Sequence, residues 1–354
     1  MGTWQELLCN PLAGLVSRVE LFSWPAETEE CQQTERTASY LNQSRFLTAS
    51  MSENVLITGG TGVVGQRLTQ LLLQQGYRVS FLSRSSQSVP DVKVYEWDVK
   101  KGQLDPQALV GADHIIHLAG AGVAEKHWTE QRKKEILDSR TLSTELLARH
   151  LRRAPQGIKS FIAASAIGYY GDDTGDQRLT ETSPLGNGFL AQVVQAWEAA
   201  EDKVADLGIR TVKMRIGVVL TMAGGALPEL ARPIRFGLGA PLGSGRQYIA
   251  WIHIDDLCRL FIQALKEESW QGIYNAVAPA PVTNETFTRL TGEVLKKPLI
   301  LPRIPAFAIR LVFGELASTV LGGNYVLNKR IAEETSFQYL FPALPPALDN
   351  LLGS

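Results

Sequence analysis

The stretch Val55-Leu56-Ile57-Thr58-Gly59-Gly60-Thr61-Gly62-Val63-Val64-Gly65 decides the fold. Val55, Leu56 and Ile57 form a short apolar run, as in a strand buried on both faces. Four glycines follow, and then Leu68, Leu71 and Leu72 recur at helical spacing within 66–75. Gly60, Gly62 and Gly65 satisfy G-x-G-x-x-G, while Gly59, Gly62 and Gly65 satisfy G-x-x-G-x-x-G. Strand, glycine turn and helix in this order make a dinucleotide-binding element. The first glycine permits a sharp turn, the middle one lets a pyrophosphate approach, and the last lets helix and strand pack closely. Free N–H groups and the positive dipole end of the helix would face the phosphates. The whole loop, Gly59, Gly60, Thr61, Gly62, Val63, Val64 and Gly65, is therefore a candidate cofactor site.

Outward from this loop the chain alternates strand and helix. Residues 78–82 read as the second strand, and its tip, Ser83 and Arg84, selects the cofactor. An NAD site usually places an acid here to accept from the ribose hydroxyl. No acid occurs between Tyr77 and Pro90. Arg84 instead offers a donor fork for a 2′-phosphate, which predicts NADP. A third strand over 92–97 ends at Asp98, a candidate for the adenine edge and equally a turn residue. The fourth, 113–118, delivers Leu118, Ala119 and Gly120, small enough for a cofactor to lie on the backbone. His114 and His117 lie in this strand with no ligand cluster around them, so no metal is expected. Helices are expected over 128–151 and 189–207, and strands over 159–164 and 211–220. Ser165 should lie just past the fifth strand, at the end of the sheet where doubly wound folds place chemistry. Beyond Leu220 come turn-rich stretches, a strand at 249–254, a linker at 279–281, and helices at 255–265, 282–295, 305–321 and 328–334.

The 354 residues carry a net charge of −1 and are 45% hydrophobic. That average gives no reason to expect nucleic acid or an anionic membrane as partner. Three cysteines, Cys9, Cys31 and Cys258, fit a reducing compartment, and the expected location is cytoplasmic. Residues 1–51 lack periodicity and carry several acids, unlike a signal or transit peptide. They read as a flexible extension or a start placed too far upstream, with an amphipathic helix conceivable at 4–22. A Rossmann-like α/β domain, a doubly wound parallel sheet, is expected over 52–220, with 249–266 returning to it. A smaller mixed substrate or cap region would take 221–248 and 267–354.

Several motifs stand in order: ITGGTGVVG at 57–65, Ser83-Arg84, HLAG at 117–120, and W-x-x-x-x-K-K-E-I-x-x-S-R at 128–140. SAIGYYG at 165–171, RIGVVL at 215–220 and GSGRQYIAWIHIDDL at 243–257 follow. Together they resemble the extended and atypical short-chain dehydrogenases/reductases, in an epimerase-like subfamily of NAD-dependent epimerase/dehydratase relatives. The resemblance implies NADP bound to a Rossmann domain, with a small-molecule substrate between it and the cap. It adds Glu135, Arg140 and Val219 to the cofactor-facing residues, a surface-helix role for Glu135 standing beside that reading. It also implies a catalytic Ser with Tyr-x-x-x-Lys, in which Tyr exchanges the proton and Lys lowers its pKa. Ser165 matches the Ser. Phe189 and Val193 occupy the Tyr and Lys positions, so Tyr169 or Tyr170 would have to substitute, unless both merely wall the pocket. Two functions remain open. One is a hydride-transferring oxidoreductase or epimerase acting on a small, sugar-like carbonyl or hydroxyl compound. The other is an NADP-binding protein of little activity with a regulatory role, such as in cell division, a label some relatives carry.

Overall fold

The computed structural model describes residues 52–153 and 157–353. The extension expected over 1–51, with its helix at 4–22, lies outside them. Among the described residues the first strand is Asn54–Thr58 (β1), followed by the helix Val63–Gln74 (α1). Arg78–Ser83 (β2), Val92–Asp98 (β3), Gln103–Leu104 (β4), His114–His117 (β5) and Ser160–Ala166 (β6) come next. Gly175–Leu179 (β7) precedes Arg210–Ile216 (β8) and Val218–Leu220 (β9). Tyr248–Ile249 (β10), Trp251–His253 (β11), Gly272–Ala276 (β12), Val282–Thr283 (β13) and Asn324–Val326 (β14) complete the strands. One eight-stranded sheet runs β12-β8-β6-β5-β1-β2-β3-β4. Its strands are parallel except for β4, which runs against β3. The order reverses at β1, so a crevice opens beyond the ends of β1 and β5. This is the doubly wound Rossmann-type sheet expected from the sequence.

The sheet is buried on both faces. On one, Val55, Ile57, Ile116 and Ile162 pack on Leu68 and Leu72 of α1 and on the helix Ile254–Lys266. On the other, Leu56, Ile115, Phe161 and Ala163 meet Leu146 and Leu147 of the long helix Glu130–Leu151. That helix begins at Thr129, whose side chain accepts from Arg132 N at 3.2 Å. Glu130 in its first turn and Arg149 and His150 in its last complement the dipole.

The structure departs from the sequence reading after residue 210. The single strand expected over 211–220 breaks at Gly217. A Cβ there would meet Val277 Cγ1 at 2.8 Å and the Ala250 carbonyl at 2.5 Å. The chain therefore leaves the main sheet, and β9 pairs instead with β11. The strand expected over 249–254 is likewise divided, β10 pairing with β13 and β11 with β9. The helix expected over 305–321 is three pieces, Ala306–Phe313, a 3₁₀ turn at Gly314–Leu316 and Ala317–Leu321, because Gly314 has φ +58°. The last strand of the sheet, β12, and the helix Ala226–Arg235, with its internal Pro233, went unread in the sequence.

Residues 331–341 fold back onto the nucleotide half. Ile331 and Phe337 join the core around Leu257 and Phe261. Asp256, fully buried, accepts Leu340 N at 2.7 Å and Phe341 N at 2.9 Å. Its neighbour Asp255 pairs with Arg67 of α1 at 2.6 Å.

The glycine loop makes a steric prediction. A Cβ on Gly65 would lie 2.6 Å from Gly60 Cα and closer still to the Gly59 carbonyl, whereas one on Gly111 meets nothing within 4 Å. Gly65→Ala should cost about 1–3 kcal/mol in urea unfolding, while Gly111→Ala should be neutral or slightly stabilising. Equal effects would mean that the helix and strand do not rely on this close approach.

Candidate active site

At the end of β1, Gly59 turns the chain with φ +71°, and its carbonyl accepts from Gly62 N at 3.0 Å. Gly62 then occupies the N-cap of α1 with no side-chain cap. The first-turn N–H groups of Val63, Val64 and Gly65 are thus left for a ligand. A Cβ on Gly62 would meet only the Gly59 carbonyl, at 3.2 Å, so its open side is the cradle a pyrophosphate oxygen would fill. Gly60 lies against Phe81, where a Cβ would fall 2.5 Å from Cζ. The arrangement fits a dinucleotide, and Gly59, Gly62 and Gly65 take the turn, approach and packing positions. Thr61 is exposed at the tip of the loop.

A hydrogen-bonded knot fixes the crevice floor. Thr58 Oγ1 lies 2.7 Å from His117 Nδ1 and accepts from the N–H groups of Leu118 and Ala119 at 3.2 Å each. His117 Nε2 reaches Thr144 Oγ1 at 3.0 Å. His117 is fully buried, and burial pushes its pKa down to about 3. The neutral imidazole thereby locks the ends of β1 and β5 to the long helix. Its burial between two hydroxyl residues was not legible from the strand pattern.

The other candidate cofactor residues fall around this floor. Ser83 ends β2, and Arg84 beyond it is exposed. Asp98 accepts from Lys101 N at 3.1 Å and pairs with its ammonium at 3.3 Å, so it serves its own turn. That backbone bond and the adjacent charge lower its pKa. Gly120 lies beside Arg140, whose Cζ is 3.2 Å from where a Cβ would be. Arg140 donates to the carbonyls of Ala121 and Ile136 at 3.0 and 2.9 Å and stacks over Trp197 at 5.0 Å. Burial pulls its pKa down to about 10. Glu135 is exposed and paired with Arg132 at 2.6 Å. Val219 is half-buried in β9, opposite Ile252.

Ser165 is the penultimate residue of β6, not the first beyond it. Its hydroxyl donates to Glu198 Oε1 at 2.6 Å. Arg215, across the sheet register from Ser165, grips the same carboxylate through Nε at 2.7 Å and Nη2 at 2.8 Å. Burial works against the Arg215 charge, but the Glu198 hydrogen bonds and charge hold its pKa above the ordinary value. Arg215 also donates to Tyr170 Oη at 3.1 Å and lies over the Tyr169 ring, 3.4 Å from its centroid. Tyr170 is 1% exposed and donates to Asn275 Oδ1 at 2.7 Å. Burial pushes it up to about 12. Tyr169 is half-buried, and its hydroxyl makes no hydrogen bond among the described residues. Neither Glu198 nor Arg215 was singled out in the sequence, although both fall within its helix and strand patterns.

Phe189 opens the helix Phe189–Ala205, 5.0 Å from Trp128 in an edge contact, and Val193 is buried in the core. The Tyr and Lys positions are therefore apolar packing. Beside this helix a cleft of about 550 Å³ is lined by Tyr170, Asp172, Thr174, Gln177, Asn187 and Gly188, among others. Among the described residues no His, Cys, Asp and Glu cluster could hold a metal ion.

A dinucleotide cradle at the switch point of a Rossmann-type sheet, with a polar cluster at the end of β6, defines an extended short-chain dehydrogenase/reductase architecture. Residues 55–276 match the NAD dependent epimerase/dehydratase family, and the chain belongs to it. Residues 304–351 match a domain of unknown function, DUF1731. The chain is 37% identical to the mouse epimerase family protein SDR39U1, over 84% of this chain and 99% of that one. It is 33% identical to the chloroplastic SDR39U1 homolog of Arabidopsis thaliana, over 98% of this chain and 99% of that one. The crystal structure of human SDR39U1 with NADPH superposes with a TM-score of 0.74 at 35% identity, covering 84% of this chain and 98% of that one.

The His117 knot has a pH signature. Its folded pKa near 3 lies below the unfolded value of 6.5. Its stabilisation is present above pH 6.5 and drains away as pH falls toward 3, on the order of 4 kcal/mol over that window. His117→Gln should flatten the slope of stability against pH between 6.5 and 4. An unchanged slope would place the acid sensitivity elsewhere.

Proposed function

We propose that this chain binds NADP(H) and moves a hydride between it and a small hydroxyl or carbonyl compound, with slow turnover. The Gly59–Gly65 loop and the start of α1 would hold the pyrophosphate, with Arg84 and Ser83 at the 2′-phosphate. The NADPH in the human relative's crystal structure supports this choice. Bound there, the nicotinamide supplies or accepts the hydride.

The observation that carries the reading is the polarity of the Ser165 hydrogen bond. Its hydrogen is committed to a carboxylate that Arg215 grips through two further hydrogen bonds. Ser165 is left with lone pairs, which accept from a substrate hydroxyl better than they could serve a carbonyl. The Tyr170 hydroxyl is already held between Asn275 and Arg215 on a side chain that is nearly inaccessible, so Tyr169 is the tyrosine left to exchange the proton. Without a lysine to tune it, general acid–base help of ~10²–10⁴-fold is largely forgone. The polar cleft beside Gly188 suits a hydroxyl-rich ligand. A sugar-like substrate is further supported by a nucleoside-diphosphate sugar epimerase from Corynebacterium glutamicum. That structure is 30% identical, with a TM-score of 0.70, covering 91% of this chain and 63% of that one. The apolar Phe189 and Val193 favour a second reading, an NADP(H)-binding regulator without turnover. The cytoplasm is the proposed location. The name of the plant relative makes a plastid the competing one, and fractionation of source cells separates the two.

Two measurements test this. Losing a charge-assisted contact of ~1.5–3 kcal/mol would make Arg84→Ala weaken NADPH about ten- to a hundredfold while barely touching NADH; equal losses would remove Arg84 from the 2′-phosphate. Single-turnover assays over alcohol and carbonyl panels should give slow conversion, lost in Ser165→Ala and reduced in Tyr169→Phe. Tight NADPH binding with no conversion of any compound would establish the regulator instead.

A further inference from the structure

Twelve large hydrophobic side chains are exposed among the described residues, and nine of them lie in two short segments. Phe236 and Leu238 follow the helix Ala226–Arg235. Ile300, Leu301, Ile304, Phe307, Leu311, Val312 and Phe313 lie on the helix Ala306–Phe313 and the loop before it. The segments adjoin. Leu242 bridges to Ile304, Ile304 N donates to the Pro241 carbonyl at 2.9 Å, and a Cβ on Gly239 would lie 2.7 Å from Leu299 Cδ2. The side chains stand out from the surface instead of lining a groove: Phe236 is 75% exposed, Ile300 78%, Phe307 73% and Leu311 85%. Of the helix Ala306–Phe313, only Ile309 is buried.

Charge on these segments is one-sided. Residues 230–238 and 294–313 contain Arg232, Arg235, Lys296, Lys297, Arg303 and Arg310, and no aspartate or glutamate. Of the six, only Arg303 has an acidic partner among the described residues, Glu285 at 3.0 Å. An open hollow of about 310 Å³ adjoins the patch, with Lys296 and Lys297 on its wall beside Arg289 and Glu293, which pair with each other at 2.6 Å. The net charge of −1 for the whole chain averages this asymmetry away.

We infer that this face docks on the surface of an anionic lipid bilayer, with Phe307 and Leu311 inserted among the acyl chains and the six cations on the headgroups. Protruding aliphatic and aromatic points ringed by Lys and Arg are what interfacial binding requires. Among the described residues no helix is long and apolar enough to cross a membrane, so the segment lies on the surface. A second copy is disfavoured, because a two-fold contact would set the six cations of one chain against those of the other. An acidic protein partner is disfavoured because the segments have no Tyr or Trp to anchor a protein interface.

The test is co-sedimentation of the full chain with vesicles of phosphatidylglycerol mixed into phosphatidylcholine, against pure phosphatidylcholine. Binding to the anionic vesicles should be about tenfold or more stronger and should weaken with salt. The pair Phe307→Ser and Leu311→Ser, and separately Arg232→Gln with Arg235→Gln, should each reduce it several-fold. Both variants should keep wild-type melting temperature and NADPH affinity, because the changed side chains are exposed and none of them is among the proposed cofactor-binding residues. The inference is overturned if wild type ignores anionic vesicles, or if the serine variant binds them as well as wild type does. It is equally overturned if sedimentation velocity finds a dimer that the serine pair dissolves, or if the patch captures an acidic protein while vesicles stay unbound.

Discussion

The ion pair between Arg215 and Glu198 is the contact on which the polar cluster at the end of β6 depends. Both side chains are nearly inaccessible, so each charge is uncompensated without the other. Every neighbour of the pair is then constrained. Glu198 fixes Ser165 on β6, and Arg215 fixes the hydroxyl of Tyr170 and the ring of Tyr169. Tyr170 passes the constraint to Asn275 on β12, whose amide donates to the Leu327 carbonyl at 2.9 Å. One guanidinium thereby ties together β6, β8, β12, the helix Phe189–Ala205 and the segment leading to residues 329–334.

This arrangement bears on the missing Tyr-x-x-x-Lys pair. A short-chain dehydrogenase with that pair carries its cation on the helix, one turn after the tyrosine. Here the cation near the serine comes from the sheet, and the helix supplies the anion. The charge is thus reversed across the interface between β8 and the helix, and the tyrosines sit on the loop after β6. The cation here fixes Ser165 through Glu198, a different task from the lysine's tuning of a tyrosine.

The nucleotide half was legible because its signals are local. Val55–Ile57, the glycines and the leucines of α1 each obey a short-range rule, and the rules agree. The cap was less legible because its elements are set by distant partners. Gly217 breaks a strand only because the Ala250 carbonyl occupies the space a side chain would need. Gly314 looks like any residue of an apolar helix until its φ is known. At the site, Ser165 and the absence of Tyr and Lys could be read directly. Glu198 could not, because a glutamate in a helix is ordinarily solvent-facing, and only Arg215, seventeen residues on, makes its burial tolerable. His117 escaped for the same reason: a histidine in a buried strand is unremarkable until Thr58 and Thr144 flank it.

The seating of Leu340 and Phe341 on Asp256 has a consequence for how the chain is made. The helix bearing Asp256 covers α1, and Arg67 joins the two. That buried carboxylate loses its two backbone donors whenever residues 340–341 are absent. During synthesis, the glycine loop and its sheet emerge long before Phe341, and until then Asp256 on their covering helix keeps Arg259, one turn along, but lacks its two backbone donors. The hydrogen bonding of this buried carboxylate is completed only when the C-terminal segment closes over its helix. Residues late in the chain, within the 304–351 match, thereby finish the core of the half that carries the glycine loop.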